Sequence, residues 1–121
     1  MKSALVGGLL AAIASPVLAQ QDDGLAQASG AVLRGLDKVA GISTDIPIRV
    51  NQSVEFGQIS VTLKQCRYPA DDPASNAYAY MQVTEKDGTV DFEGWMIADS
   101  PALSALDHPR YDIWVIRCNN S

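Results

Sequence analysis

From Ile46 onward the apolar residues of this chain fall at every second position. In "IPIRV", Ile46, Ile48 and Val50 share one face; in "ISVTLKQC", Ile59, Val61 and Leu63 share one face and Ser60, Thr62 and Lys64 the other. A two-residue period is that of a β-strand with one solvated face. Cys66 ends the second run on the polar side by strict alternation, whereas a bulge or strand end would turn it inward; the alternation leaves both open. Between these runs "VEF" reads as a short strand bounded by the turns "NQS" and "GQ". "YAYMQVTEKDGTVDFEGWMI" predicts a hairpin around Lys86-Asp87-Gly88, with Gly88 at a positive-φ position. Ala79, Met81, Val83, Val90, Phe92 and Met96 form one face; Tyr78, Tyr80, Gln82, Thr84, Asp91, Glu93 and Trp95 form the other. "YDIWVIRC" is apolar without a break from Ile113 to Ile116, which predicts a central strand buried on both sides with Trp114 in the core.

Two stretches depart from this period. In "AVLRGLDKVAG", Val32, Leu33, Leu36 and Val39 lie at helical spacing, and Gly41 suits a helix end. That predicts a short helix, weakened by Gly35 and Gly41, with an extended segment that wraps the domain or binds a partner as the competing reading. In "DSPALSALDHP", Ser100 suits an N-cap, Pro101 the first helical position, and Pro109 the stop, giving one to two helical turns. "RYPADDPASNA" reads as a loop, and residues 20–30, "QQDDGLAQASG", as a disordered start. The expected fold is mainly β: a small antiparallel barrel or sandwich of five to six strands, with one short helical crossover and a weak N-terminal helix.

Residues 1–19 stand apart from all of this. Lys2, an apolar run from Ala4 to Ala14, the breaker Pro16, and small residues Val17 and Ala19 make a secretory signal, with cleavage expected before Gln20. The run is too short to span a bilayer, and no cysteine follows the cleavage site for a lipid anchor. No later stretch of the chain is long and apolar enough to serve as a transmembrane segment. The expected location is therefore periplasmic, with residues 31–121 as a single β domain after residues 20–30.

Charge narrows the partners. Without Lys2, 8 basic residues face 14 acidic ones, a net charge of −6. Such a surface repels phosphate backbones, so no nucleic acid is expected as partner. The two cysteines, Cys66 and Cys118, in an oxidising compartment read as one disulfide. It closes a loop of roughly 50 residues, worth about 4 kcal/mol. A metal site built on two cysteines and one histidine lacks a fourth ligand, and a redox pair is more often C-x-x-C.

Candidate chemistry is sparse. His108 is the one histidine. A triad needs it as base, with Ser100 or Ser104 near it in sequence and Asp107 and Asp112 flanking it, but no G-x-S-x-G elbow accompanies them. Asp91 and Glu93 share one face of the hairpin, as solvated sheet faces commonly show. Asp71, Asp72 and Asn76 lack the spaced ligands of a calcium loop, and no glycine loop cradles phosphate. No catalytic residue, cofactor or metal is expected. The candidate binding surface is Tyr78, Tyr80, Trp95 and His108.

"LRGLDKVAG", "FGQISVTLKQCRYP" and "GWMIADSPALSALDHPRYDIWVIRC" together resemble the DUF2155 family, exported alphaproteobacterial proteins of unknown function. The resemblance runs from about Ala31 to Cys118, and its C-terminal block is the specific part. It implies that Cys66 and Cys118 are the family's cysteine pair, and it implies no activity and hence no catalytic residues. The family's gene neighbourhoods imply one possible setting, as a periplasmic accessory factor of respiratory complex I. The expectation is a non-enzymatic domain that contacts a protein in the periplasm or at the inner-membrane surface; the competing one is a small hydrolase or ligand-binding domain centred on His108.

Overall fold

In the computed structural model, residues 23–120 are described. The expected signal and its cleavage site lie outside them. Eight strands follow in order: β1 (Leu25–Gln27), β2 (Gly30–Asp37), β3 (Ile42–Arg49), β4 (Ser53–Phe56), β5 (Ile59–Pro69), β6 (Tyr78–Glu85), β7 (Val90–Ile97) and β8 (Tyr111–Asn119). Every pairing is antiparallel. In the larger sheet β5 carries β6 on one side and β4 and β1 in succession on the other, with β7 beyond β6. The smaller sheet runs β3-β2-β8. One core lies between them: Leu33, Ile48, Ile113 and Val115 from the small sheet join Ile59, Val61, Leu63, Met81, Val83 and Met96 from the large one. Among the described residues neither sheet closes on itself, so the expected barrel is not formed.

Several expectations are corrected. The N-terminal helix is strand β2, paired on both edges with β3 and β8. Its glycines explain the outcome. A Cβ on Gly35 would stand 2.7 Å from the Phe56 ring, so the residue serves close approach across the core, and Gly41, at φ 72°, makes the turn into β3. Part of the start expected to be disordered is also strand: Leu25–Gln27 pairs with Arg67–Pro69, held by backbone bonds that no side-chain pattern announces. The helical crossover is a single 3-10 turn at Pro101–Leu103, and Ser100 makes no side-chain capping bond. β8 is an edge strand of its sheet, not a central one. Its residues from Tyr111 to Ile116 alternate between buried and half-buried, so Trp114 lies half-buried on the outer side.

The open question at Cys66 is answered by a bulge. The β5–β6 register slips between Leu63 and Gln65, and Cys66 turns into the core at 1% exposure. There it forms a disulfide with Cys118 of β8, with the two Cα atoms 5.7 Å apart. The bond crosses from the large sheet to the small one. At the other end of the core, Tyr111 is buried beneath the β4–β5 turn. Its hydroxyl accepts a hydrogen bond from the Gln58 N–H at 3.1 Å, and the Phe56 ring meets it edge-on at 5.5 Å. Gly57, at φ 59°, leaves room for that ring, which any Cβ there would strike.

Cys66→Ala and Cys118→Ala should each lower stability by about 2–5 kcal/mol, with no further loss in the double variant. Thermal unfolding of the three variants under oxidising conditions measures this; additive losses would show that the two cysteines do not act as one tie.

Candidate functional site

The inner row of β6 is Ala79, Met81 and Val83, and the period continues to Glu85, opposite Ile59 of β5. An acidic side chain therefore ends an apolar row at the mouth of the core. Opposite it, the β6–β7 register slips between Val83 and Thr84: Phe92 pairs with Val83 and Val90 with Thr84, leaving Asp91 as the extra residue. That bulge turns the Asp91 side chain inward, to 19% exposure. The turn before β8 supplies the third group, His108, with its side chain 13% exposed.

The histidine's two ring nitrogens have different partners. Nδ1 accepts the backbone N–H groups of Arg110 at 3.0 Å and Tyr111 at 3.2 Å. Two donors at Nδ1 place the ring proton on Nε2, which donates to Glu85 Oε2 at 2.9 Å. Asp91 Oδ2 lies 4.0 Å from Nε2 and is buried without a hydrogen-bond partner. The neighbouring Glu85 carboxyl first, and then burial, raise the Asp91 carboxyl above its ordinary value, against the opposing influence of His108. Burial beside a second carboxyl thus disfavours the charged form of Asp91. The turn itself is pinned from β2. Lys38 Nζ donates to the His108 carbonyl at 2.8 Å, and Arg110 forms two bonds to Asp37, at 3.1 and 3.0 Å.

Among the described residues this is the one group of three or more side chains close enough to share a metal ion, with ligand atoms within 4.8 Å. The imidazole is set the wrong way for that task. A metal-bound histidine donates its other ring N–H to an acceptor, whereas Nδ1 here receives two donors. The arrangement suits a hydrogen-bonded clasp between the hairpin end and the turn into β8. Nor does it form a hydrolytic triad: no hydrogen bond joins His108 to Ser100, Ser104, Asp107 or Asp112, and Asp112 instead pairs with Lys38 at 3.4 Å.

The outer face of the large sheet holds the aromatic candidates. Tyr80 and Trp95 are cross-strand partners, with ring centres 5.2 Å apart in an edge-to-face arrangement, and Trp95 is 38% exposed. Glu93 organises the surface beside them: it accepts from the Tyr80 hydroxyl at 3.2 Å and from Gln82 Nε2 at 2.9 Å, and meets Lys64 Nζ at 3.5 Å. The Gln82 and Tyr80 donors hold its carboxyl below the ordinary value, while the same contact raises the Tyr80 hydroxyl. Tyr78 continues the row, accepting from Asn76 Nδ2 at 3.3 Å.

Tyr78, Tyr80 and Trp95 thus share one outer face, as their alternation predicts. His108 does not join them; it lies at the core's mouth with Glu85 and Asp91. Asp91 and Glu93 are likewise parted, because the bulge turns the first inward. The period-two row ending in Glu85 could have announced that residue; nothing local announced Asp91. Asn76 accepts from the Ala77 and Asp99 N–H groups, and so acts as a loop brace.

Comparison with known proteins places these features in context. The profile of DUF2155, an uncharacterised protein conserved in bacteria, matches residues 31–118. "Uncharacterized protein RP359" of Rickettsia prowazekii (strain Madrid E) is 32% identical over 87 residues. That match covers 69% of this chain and 56% of the relative, so the chain spans little more than half of that protein. No solved structure matches.

A raised carboxyl gives stability that is complete at low pH and is lost as pH climbs through the raised value. Asp91→Asn keeps the neutral form throughout. Its melting temperature should equal the parent's near about pH 4 and exceed it by roughly 2–4 °C near about pH 8. A constant difference across that range would show that Asp91 carries no extra proton.

Proposed function

The chain belongs to the DUF2155 family, and we propose that it works as an exported protein of the bacterial envelope that binds another protein through the outer face of its large sheet. The observation that carries this reading is the Tyr80–Trp95 pair, standing on a solvated face and held by the hydrogen bonds converging on Glu93. Aromatic anchors of this kind supply large contact area for few rotatable bonds, and their neighbours here already fix their geometry. The N-terminal signal pattern and the Cys66–Cys118 disulfide support an oxidising compartment outside the cytoplasm. Among the described residues no helix is long and apolar enough to cross a membrane. The histidine reading finds no comparable support, since both ring nitrogens of His108 are occupied by groups of the fold.

Chemical crosslinking in intact cells, followed by mass spectrometry, tests the proposal. The same partner should be recovered repeatedly with the parent chain and about tenfold less with Trp95→Ala or Tyr80→Ala, at equal expression and equal melting temperature. Equal recovery from parent and variants would remove this face as the contact surface.

A further inference from the structure

A second surface lies at the edge of the small sheet. β8 pairs with β2 along one side, and among the described residues no strand pairs with its other side. No hydrogen bond from the backbone of Asp112–Val115 to a backbone outside β2 is present among those residues. A groove of about 290 Å³ lies beside β8, lined by Pro101, Ala102, Ala105 and Leu106 and by Asp112, Ile113 and Trp114 of the strand. Asp112, Ile113 and Trp114 are consecutive, and their side chains alternate between the two faces of the strand. The cavity therefore lies between β8 and the Pro101–Leu106 segment.

The edge specifies what would fill it. A row of unpaired N–H and C=O groups is met by another extended backbone, and an apolar pocket beside the row takes one of its alternate side chains. Charge narrows the occupant further. Asp99 and Asp107 flank the groove's wall in sequence, and neither has a salt-bridge partner among the described residues; Lys38 is the one cation that meets Asp112. Asp112 is the acidic residue that lines the groove, and a chain of net charge −5 favours a basic segment over an acidic one.

We propose that this groove receives an extended peptide segment of a partner protein, which adds as a strand to the free edge of β8, with an apolar side chain between Ala105 and Trp114 and a Lys or Arg beside it. The inference goes beyond the binding face assigned above: the groove shares no residue with the Tyr80–Trp95 surface.

The probe is a phage-displayed library of random peptides of about twelve residues, selected against the purified full chain. Enriched sequences should alternate apolar residues and carry Lys or Arg. A synthetic enriched peptide should slow amide exchange along Asp112–Val115. Ala105→Arg, at an exposed position where the fold tolerates a larger side chain, should weaken its binding at least about tenfold, and Trp95→Ala should leave binding unchanged. No enrichment above background would overturn the proposal. So would binding that Ala105→Arg leaves intact, or unaltered exchange along β8. If Trp95→Ala alone abolished binding, the outer face would be the peptide site and this inference would fail while the earlier reading stood. A dimer in sedimentation that Ala105→Arg dissolves would mean that a second copy occupies the edge, which also overturns it.

Discussion

Between Leu63 and Gln65 the ladder of β5 against β6 slips by one residue. Before the slip Ile59, Val61 and Leu63 face the core; after it Cys66 does. Without that extra residue the cysteine would stand on the solvent side in line with Thr62 and Lys64, and its sulfur could not reach Cys118. With it, the disulfide joins β5 of one sheet to β8 of the other, and the chain between, 52 positions long, contains β6, β7 and the 3-10 turn. Two sheets that share no strand are tied through the core rather than by a closing ladder. The bond restricts the entropy of the unfolded chain, and among the described residues neither sheet closes on itself. The same slip leaves Lys64 on the outside, where it meets Glu93.

A second slip, at Asp91, works the same way at the opposite end of the core. It separates two carboxylates that alternation would keep together. Glu93 stays outside, among donors that favour its charged form. Asp91 goes inside, beside Glu85, where its carboxyl is raised above its ordinary value. The clasp with His108 depends on the turn before β8 being held still. That task falls to the Arg110–Asp37 pair, whose hydrogen bonds hold the Asp37 carboxyl down to about 2, and to Lys38 on the His108 carbonyl. Polar contacts from β2 thus position the group that the β6–β7 hairpin receives.

How much of this was legible in the sequence follows from the range of the forces involved. Strict alternation is a local property, and it located β5, both strands of the hairpin, β8 and the outer placement of Tyr78, Tyr80 and Trp95. Bulges are invisible to it, because the extra residue is defined by the partner strand; hence the open question at Cys66 and the wrong face for Asp91. The N-terminal segment misled for a related reason. Val32, Leu33, Leu36 and Val39 satisfy a helical period, but Gly35 must admit the Phe56 ring and the segment has partners on both edges, so tertiary pairing overrides local spacing. Trp114 was misplaced because an apolar run was read as burial on both sides. The run instead reflects an inner row, Ile113 and Val115, interleaved with an outer row that remains half-covered.

The two edges of the small sheet make a physical contrast that bears on this outer row. β3 is guarded: Pro47 has no N–H to offer, and Asp45 and Arg49 place charges on either side of it. These are the devices by which a sheet edge avoids unwanted pairing. β8 carries four apolar residues in a row from Ile113 to Ile116, and its device there is the bulge that leaves Ile116 as the extra residue against β2. An edge of that composition is a liability for a free monomer unless something covers it. The segment from Pro101 to Leu106 lies beside it, with Leu106 buried in the same core as Ile113, and a cavity remains between the segment and the strand. Charges and a proline thus guard β3, whereas β8 has a bulge at one end of its apolar run and a cavity alongside.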